Sequence, residues 1–109
     1  MLTFPWPSKE LNPNSSCHFH VKAKKKAIYK TECYWLTKMA KIPKFDYKEL
    51  HIIFYKPNRR HMDLDNMLAS MKSGLDGMCE ALEIDDRCFK KITIEIAKDI
   101  GGMVKIDIY

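Results

Sequence analysis

The stretch KITIEIAKDIGGMVKIDIY, residues 91–109, decides what kind of sheet this chain builds. Ile92, Ile94 and Ile96 alternate with Thr93, Glu95 and Ala97, while Val104, Ile106 and Ile108 alternate with Met103, Lys105 and Asp107. A period of two turns one set of side chains to a core and the other to water, so each half reads as a half-buried strand. Gly101-Gly102 between them supplies the turn chemistry of a tight connection, and the expectation is an antiparallel hairpin.

Upstream, FDYKELHIIFYK (45–56) begins with alternation and becomes a β-rich apolar run, the pattern of a strand well buried in mid-sheet. Pro57-Asn58 stops it. LTFPW near the start can open as a short strand, and PSKELNPNSS reads as a polar loop, because prolines, asparagines and paired serines disfavour a helix. From His18 to Met39, the residues Val21, Ile28, Trp35 and Met39 recur at spacings that suit one helix face, with Ala27 and Leu36 beside them. That face is expected to pack and the lysine-bearing face to meet water. Pro43 closes the segment. The order strand, helix, strand, helix, strand, strand predicts an α+β (mixed α/β) fold: a single mixed sheet of about four strands carrying two main helices, in one domain over 1–109.

The chain has 109 residues, one-domain length, and 46% of them are apolar. No apolar run approaches the roughly 18 residues of a membrane span, and MLTFPWPS lacks the basic and apolar regions of a secretory signal, so the cytoplasm is the expected location. Cys17, Cys33, Cys79 and Cys88 form no C-x-x-C pair and read as free thiols; Cys17 with His18 and His20 matches no common zinc spacing. Nineteen Lys and Arg against fourteen Asp and Glu leave a net charge of +5, concentrated at Lys22, Lys24, Lys25, Lys26 and Lys30 and again at Lys56, Arg59 and Arg60. Such patches favour a polyanionic partner, although a solvated lysine face is commonplace.

Chemistry concentrates in RRHMDLDNMLASMKSGLDGMCEALEIDD, residues 59–86. Leu64, Met67, Leu68, Met71, Leu75, Met78 and Leu82 mark an amphipathic helix whose stripe is core or a dimer contact. Asp65, Lys72 and Asp76 fall within roughly 40° of one another on a helical wheel, a polar row on the helix edge, and Lys72 leans back over the turn carrying Asp65. Lys72 and Asp76 equally suit a plain exposed i,i+4 pair. Asp63 and Asp65 converge if the chain is extended at Asp63 and turns helical near Asp65; one aspartate suffices for an N-cap, and two with Asn66 suggest oxygen ligands for a hard cation. The second acidic pair, Asp85-Asp86, lies beyond a helix of about 27 Å, so it meets the first only if the chain doubles back, with Gly77 the expected break. Otherwise that pair opens a turn.

These residues resemble the RusA-like crossover junction endodeoxyribonucleases, resolvases of four-way (Holliday) DNA junctions found in prophages and phages. The resemblance rests on FPWPS with NPN, RRHMDLDNM, KSGLDGM and EIDDRCFKKITIEI, with the D-L-D-N, K, L-D-G and D-D series carrying most of it. It implies a homodimer that hydrolyses junction phosphodiesters with Mg²⁺, in which Asp63, Asp65 and Asp86 bind the metal and Lys72 is required for cleavage. Of the later pair Asp86 matches more closely, with Asp85 the alternative. The family lysine stands four residues after the second aspartate, where this chain has Ala69; Lys72 follows three residues later but keeps the K-x-x-x-D interval to Asp76. Lys56, Arg59 and Arg60 are expected to grip flanking phosphates of the branched DNA. The competing readings are a non-catalytic basic nucleic-acid-binding module and a protein-interaction domain using the Met-rich helix.

Overall fold

The computed structural model describes residues 2–109. Four strands form one mixed sheet: β1 (Leu2–Pro5), β2 (Glu49–Tyr55), β3 (Lys91–Ile96) and β4 (Met103–Ile108), in the spatial order β1-β4-β2-β3. Three helices pack on it: α1 (Phe19–Met39), α2 (Leu64–Ser70) and α3 (Lys72–Leu82). Short 3-10 turns occupy Lys9–Leu11 and Asp86–Cys88. Leu50, Ile52 and Phe54 of β2 meet Val104 and Ile106 of β4 and Phe4 of β1 in a core closed by Tyr29, Cys33, Met67, Met71 and Met78. The methionine stripe is therefore core, and it is spent on the sheet rather than offered to a partner.

The hairpin expected for 91–109 does not form. β3 pairs parallel with β2 (Leu50 opposite Ile92, Phe54 opposite Ile96), β4 pairs antiparallel with β2 (Leu50 opposite Ile108, Phe54 opposite Val104), and β2 lies between them. The reason is in the connection. Gly101 and Gly102 donate their N–H groups to carbonyls at and just past the end of β2, to Lys56 O at 3.0 Å and Tyr55 O at 2.8 Å, so the loop steps over the end of β2. Gly102 takes φ +71°, which glycine allows without strain, and a side chain at Gly101 would press within 3.2 Å of Tyr55 Cβ.

Two further expectations are corrected. The helix expected over 64–82 breaks at Met71, six residues before Gly77, so the described residues form three α-helices and not two main ones. Ser70 Oγ donates back to Asn66 O at 2.9 Å and Met71 N–H bonds Leu68 O at 3.0 Å, a tightened last turn that bends the axis before Leu75 N–H resumes the helix on Met71 O. Helix α1 forms where expected but buries the opposite face: Tyr29, Cys33 and Thr37 point inward, while Val21, Ile28, Trp35 and Met39 are exposed. Small residues explain the choice. α3 presents Gly74 and Gly77 to α1, and a Cβ on Gly77 would lie 2.2 Å from Lys30 O, so the two backbones approach more closely than bulky side chains would permit.

Candidate functional site

Three elements converge on one cavity of about 730 Å³, a size suited to a ligand rather than to packing error. Lys22 and Lys26 of α1, Asp65 of α2, Lys72, Ser73 and Asp76 of α3, and Asp86 beyond it line the walls; Leu50, Leu68, Leu75, Phe89 and Ile92 give it an apolar floor. The bend at Met71 puts α2 and α3 on different axes around this space. Glu83, in the left-handed conformation with φ 58°, then reverses the chain after α3, and Ile84 N–H bonds back to Cys79 O at 3.0 Å. That reversal returns Asp86 to the start of α3.

Lys72 is the hub. Its Nζ donates to Asp76 Oδ1 at 2.8 Å and to Asp86 Oδ2 at 3.3 Å. Its hydrogen bond to Asp76 raises its pKa above the ordinary lysine value, desolvation opposes the rise, and the hydrogen bond to Asp86 adds to it. The ammonium is therefore fully charged at neutral pH, suited to holding negative charge and unsuited to acting as a base. Ser73 Oγ is buried without a hydrogen-bond partner among the described residues, in the wall of the same cavity.

Asp85 is employed elsewhere. Its carboxylate accepts Arg87 N–H at 2.9 Å and holds the Arg87 guanidinium at 2.8 Å, which keeps its carboxyl far below the usual range. Of the two neighbours, Asp86 is the one that faces Lys72.

Asp63 and Asp65 part company. The chain is extended at Asp63 (ψ 133°) and helical from Leu64, which leaves Asp65 inside the first turn; Asp65 lines the cavity just described, and Asp63 lines a second cleft with Arg60, His61 and Asn66. Asp63 Oδ1 lies 3.2 Å from His61 Nε2, and its main-chain carbonyl accepts Met67 N–H at 3.0 Å. Among the described residues no three His, Cys, Asp or Glu side chains gather closely enough to form a metal cage. Arg59 and Arg60 are exposed and Lys56 is half-buried on the loop after β2, where Lys56 Nζ donates to Arg60 O at 2.9 Å; Lys56 and Arg59 face the 96–100 segment, away from the Asp65 cavity.

No family model matches this chain. A protein of Xylella fastidiosa (strain Temecula1), described as an uncharacterized protein, is 41% identical over 96 residues, covering 81% of this chain and 61% of that protein. The chain thus spans less than two thirds of the relative's length.

Sequence reasoning did not give Lys22, Lys26 or Ser73 a place in the site. The lysines are legible in the sequence only as a basic patch, because their apolar neighbours on α1 do not reveal that this part of the helix turns toward the cavity. Among the described residues no helix is long and apolar enough to cross a membrane.

Proposed function

We propose that this chain is a Mg²⁺-dependent, structure-selective endonuclease that hydrolyses phosphodiesters at four-way DNA junctions as a homodimer, in the manner of RusA-like resolvases. The observation that carries the reading is the meeting of Lys72 with Asp86 in a cavity that also holds Asp65 and is flanked by Lys22 and Lys26. Remote acidic residues and a charged lysine, sharing one basic-rimmed space, suit phosphoryl chemistry better than a scattered charge surface does.

The donor set fits magnesium in kind. Asp65 and Asp86 offer hard carboxylate oxygens, Ser73 an uncommitted hydroxyl, and a small ion that keeps several waters needs no more than one or two carboxylates. Asp65 and Asp86 would hold it, and the ion when bound would neutralise phosphate charge and acidify a water. Lys72, kept cationic by its two aspartates, stabilises negative charge growing on the phosphate. Lys22 and Lys26 hold the backbone on either side of it, a grip independent of base sequence. Asp63 enters the metal set from the resemblance, and a separate substitution tests it.

One observation favours the non-catalytic rival: the Lys72 ammonium already pairs with Asp76 and Asp86. A synthetic four-way junction incubated with the protein, with and without Mg²⁺, separates the two. Metal-dependent cutting by the wild type, with Asp65→Asn and Asp86→Asn binding but not cutting, supports the nuclease. Binding that ignores chelator and both substitutions leaves the basic module.

A further inference from the structure

We propose that the open edge of β3 is the contact between two copies of this chain, pairing antiparallel about a two-fold axis that passes through Thr93. The inference rests on the homodimer of the proposed function and locates its interface.

A four-stranded sheet has two edges. At one, β1 is four residues long, contains Pro5 and is followed by Pro7; proline offers no N–H, so that edge is a poor template. At the other, β3 runs six residues without proline. Ala97 N–H bonds Phe54 O of β2 at 2.9 Å. In a parallel pair alternate residues turn both backbone groups to the neighbour, so Thr93 and Glu95 share the sense of Ala97, and Ile92, Ile94 and Ile96 direct theirs to the open side.

Proteins protect such an edge with inward charges or bulges. β3 carries Lys91 and Glu95 on one face, and on the other it leaves apolar side chains beside the edge: Ile92 is 51% and Ile96 37% exposed, on the same face as buried Leu50 and Phe54, to which they are paired. The helical layer stops short of them, which leaves room for a second sheet to continue.

The side chains select the register. With Thr93 opposite Thr93 of the second copy, Lys91 stands opposite Glu95 and Ile92 opposite Ile94, and the axis repeats both pairs. Shifting the axis to Ile94 puts Thr93 opposite Glu95 and Lys91 opposite Ala97, which leaves the lysine without its counter-charge; a parallel in-register pair stacks Lys91 on Lys91. Only the first arrangement is self-complementary in charge and in apolar contact, as a two-fold interface requires. Glu95 already pairs with His51 at 3.0 Å on its own sheet, which orients it without neutralising it unless the histidine is protonated.

The result is an eight-stranded sheet with all helices on one face. Ile92 and Phe89 belong to the floor of the Asp65–Lys72–Asp86 cavity, so the two cavities flank the axis, an arrangement matched to a substrate with near two-fold symmetry.

The test uses the whole chain without DNA. Analytical ultracentrifugation should give a dimer whose dissociation constant rises about tenfold or more in Lys91→Glu and in Glu95→Lys, and returns to near the wild-type value when both are combined. Oxidised Thr93→Cys should run as a covalent dimer, since opposite residues of a non-hydrogen-bonded pair bring their Cβ atoms within disulfide reach, while the wild type with its four cysteines should not. A monomer at all concentrations overturns the proposal, as does a dimer indifferent to both charge reversals and to Thr93→Cys; if Trp35→Ala dissociates that dimer, the contact lies on α1. Junction cleavage is scored separately: a chain that dimerises through β3 and does not cut keeps this interface and loses the nuclease reading, and one that cuts without the cross-link loses the interface alone.

Discussion

Lys72 and Asp86 stand fourteen positions apart and meet at 3.3 Å, brought together by a chain that leaves α3 and reverses at Glu83. The neighbouring Asp85 faces away, onto Arg87. Two adjacent aspartates therefore have separable consequences. We expect Asp86→Asn and Lys72→Ala to lower junction cleavage about 100-fold or more while leaving binding within a few-fold, the loss typical of one removed transition-state contact. Asp85→Asn should retain most activity and lose some thermal stability with its cap. Equal loss in Asp85→Asn and Asp86→Asn would show that the turn, and not the carboxylate at the cavity, is what matters.

Gly77 is where α3 touches α1. A methyl group there would stand 2.2 Å from Lys30 O and 3.2 Å from Tyr34 N, both backbone atoms that cannot swing aside. Gly77→Ala should destabilise the fold by about 3 kcal/mol, at the upper end of overpacking, and lower Tm by about 10 °C or more. The intrinsic helix preference of alanine runs the other way, by about 1 kcal/mol, so a rise in Tm by differential scanning calorimetry would mean that the helices do not approach as closely as described.

The same contact explains which parts of the fold were legible. Strand positions were readable from alternation, although β2 begins at Glu49 and not at residue 45, and in β3 the alternation overstates burial, since Ile92 and Ile96 are exposed at the sheet edge. Strand pairing was not, since Gly101-Gly102 reads as a tight turn and nothing local reveals that their N–H groups are spent on Tyr55 and Lys56. The buried face of α1 does not follow from the bulk of its side chains, because Gly74 and Gly77 on α3 make room for the Tyr29 ring, Cys33 and the α1 backbone at Lys30 and Tyr34. In the site, Asp65, Lys72 and Asp76 were legible together from one helical pattern, although the break at Met71 sets Asp65 on α2 and the other two on α3. Lys22 and Lys26 follow only once α1 is turned the right way, and the divergence of Asp63 from Asp65 depends on the helix starting at Leu64.

If Lys22 and Lys26 hold phosphates at the cavity rim, their removal acts on affinity through counterion release. Lys22→Ala and Lys26→Ala should each flatten the slope of log K against log salt concentration by about 0.9 on duplex arms, additively in the double variant. Arg59→Ala and Arg60→Ala, on a loop outside that cavity, should alter the slope without altering the cleavage rate at saturating junction. Fluorescence anisotropy across a salt series, at several arm lengths, measures the slopes. A slope unchanged in the Lys22→Ala, Lys26→Ala double variant would remove these lysines from the DNA path.

Two thiols make stability depend on alkaline pH. Cys33 is wholly buried and Cys79 nearly so, and burial pushes both up to about 12. In the unfolded chain a thiol ionises near pH 8.5, so above that value the unfolded state releases protons that the folded state keeps. The unfolded state then binds fewer protons, and stability falls as pH rises from about 8.5 toward 12, by up to about 1.4 kcal/mol per unit for each thiol. Below pH 8 the two contribute no slope. Urea midpoints between pH 8 and 10.5 should decline less steeply in Cys33→Ala than in the wild type, whatever the substitution costs at pH 7. Parallel curves would mean that Cys33 ionises in the folded chain as readily as in the unfolded one, which a wholly buried thiol beside the Tyr29 ring cannot do.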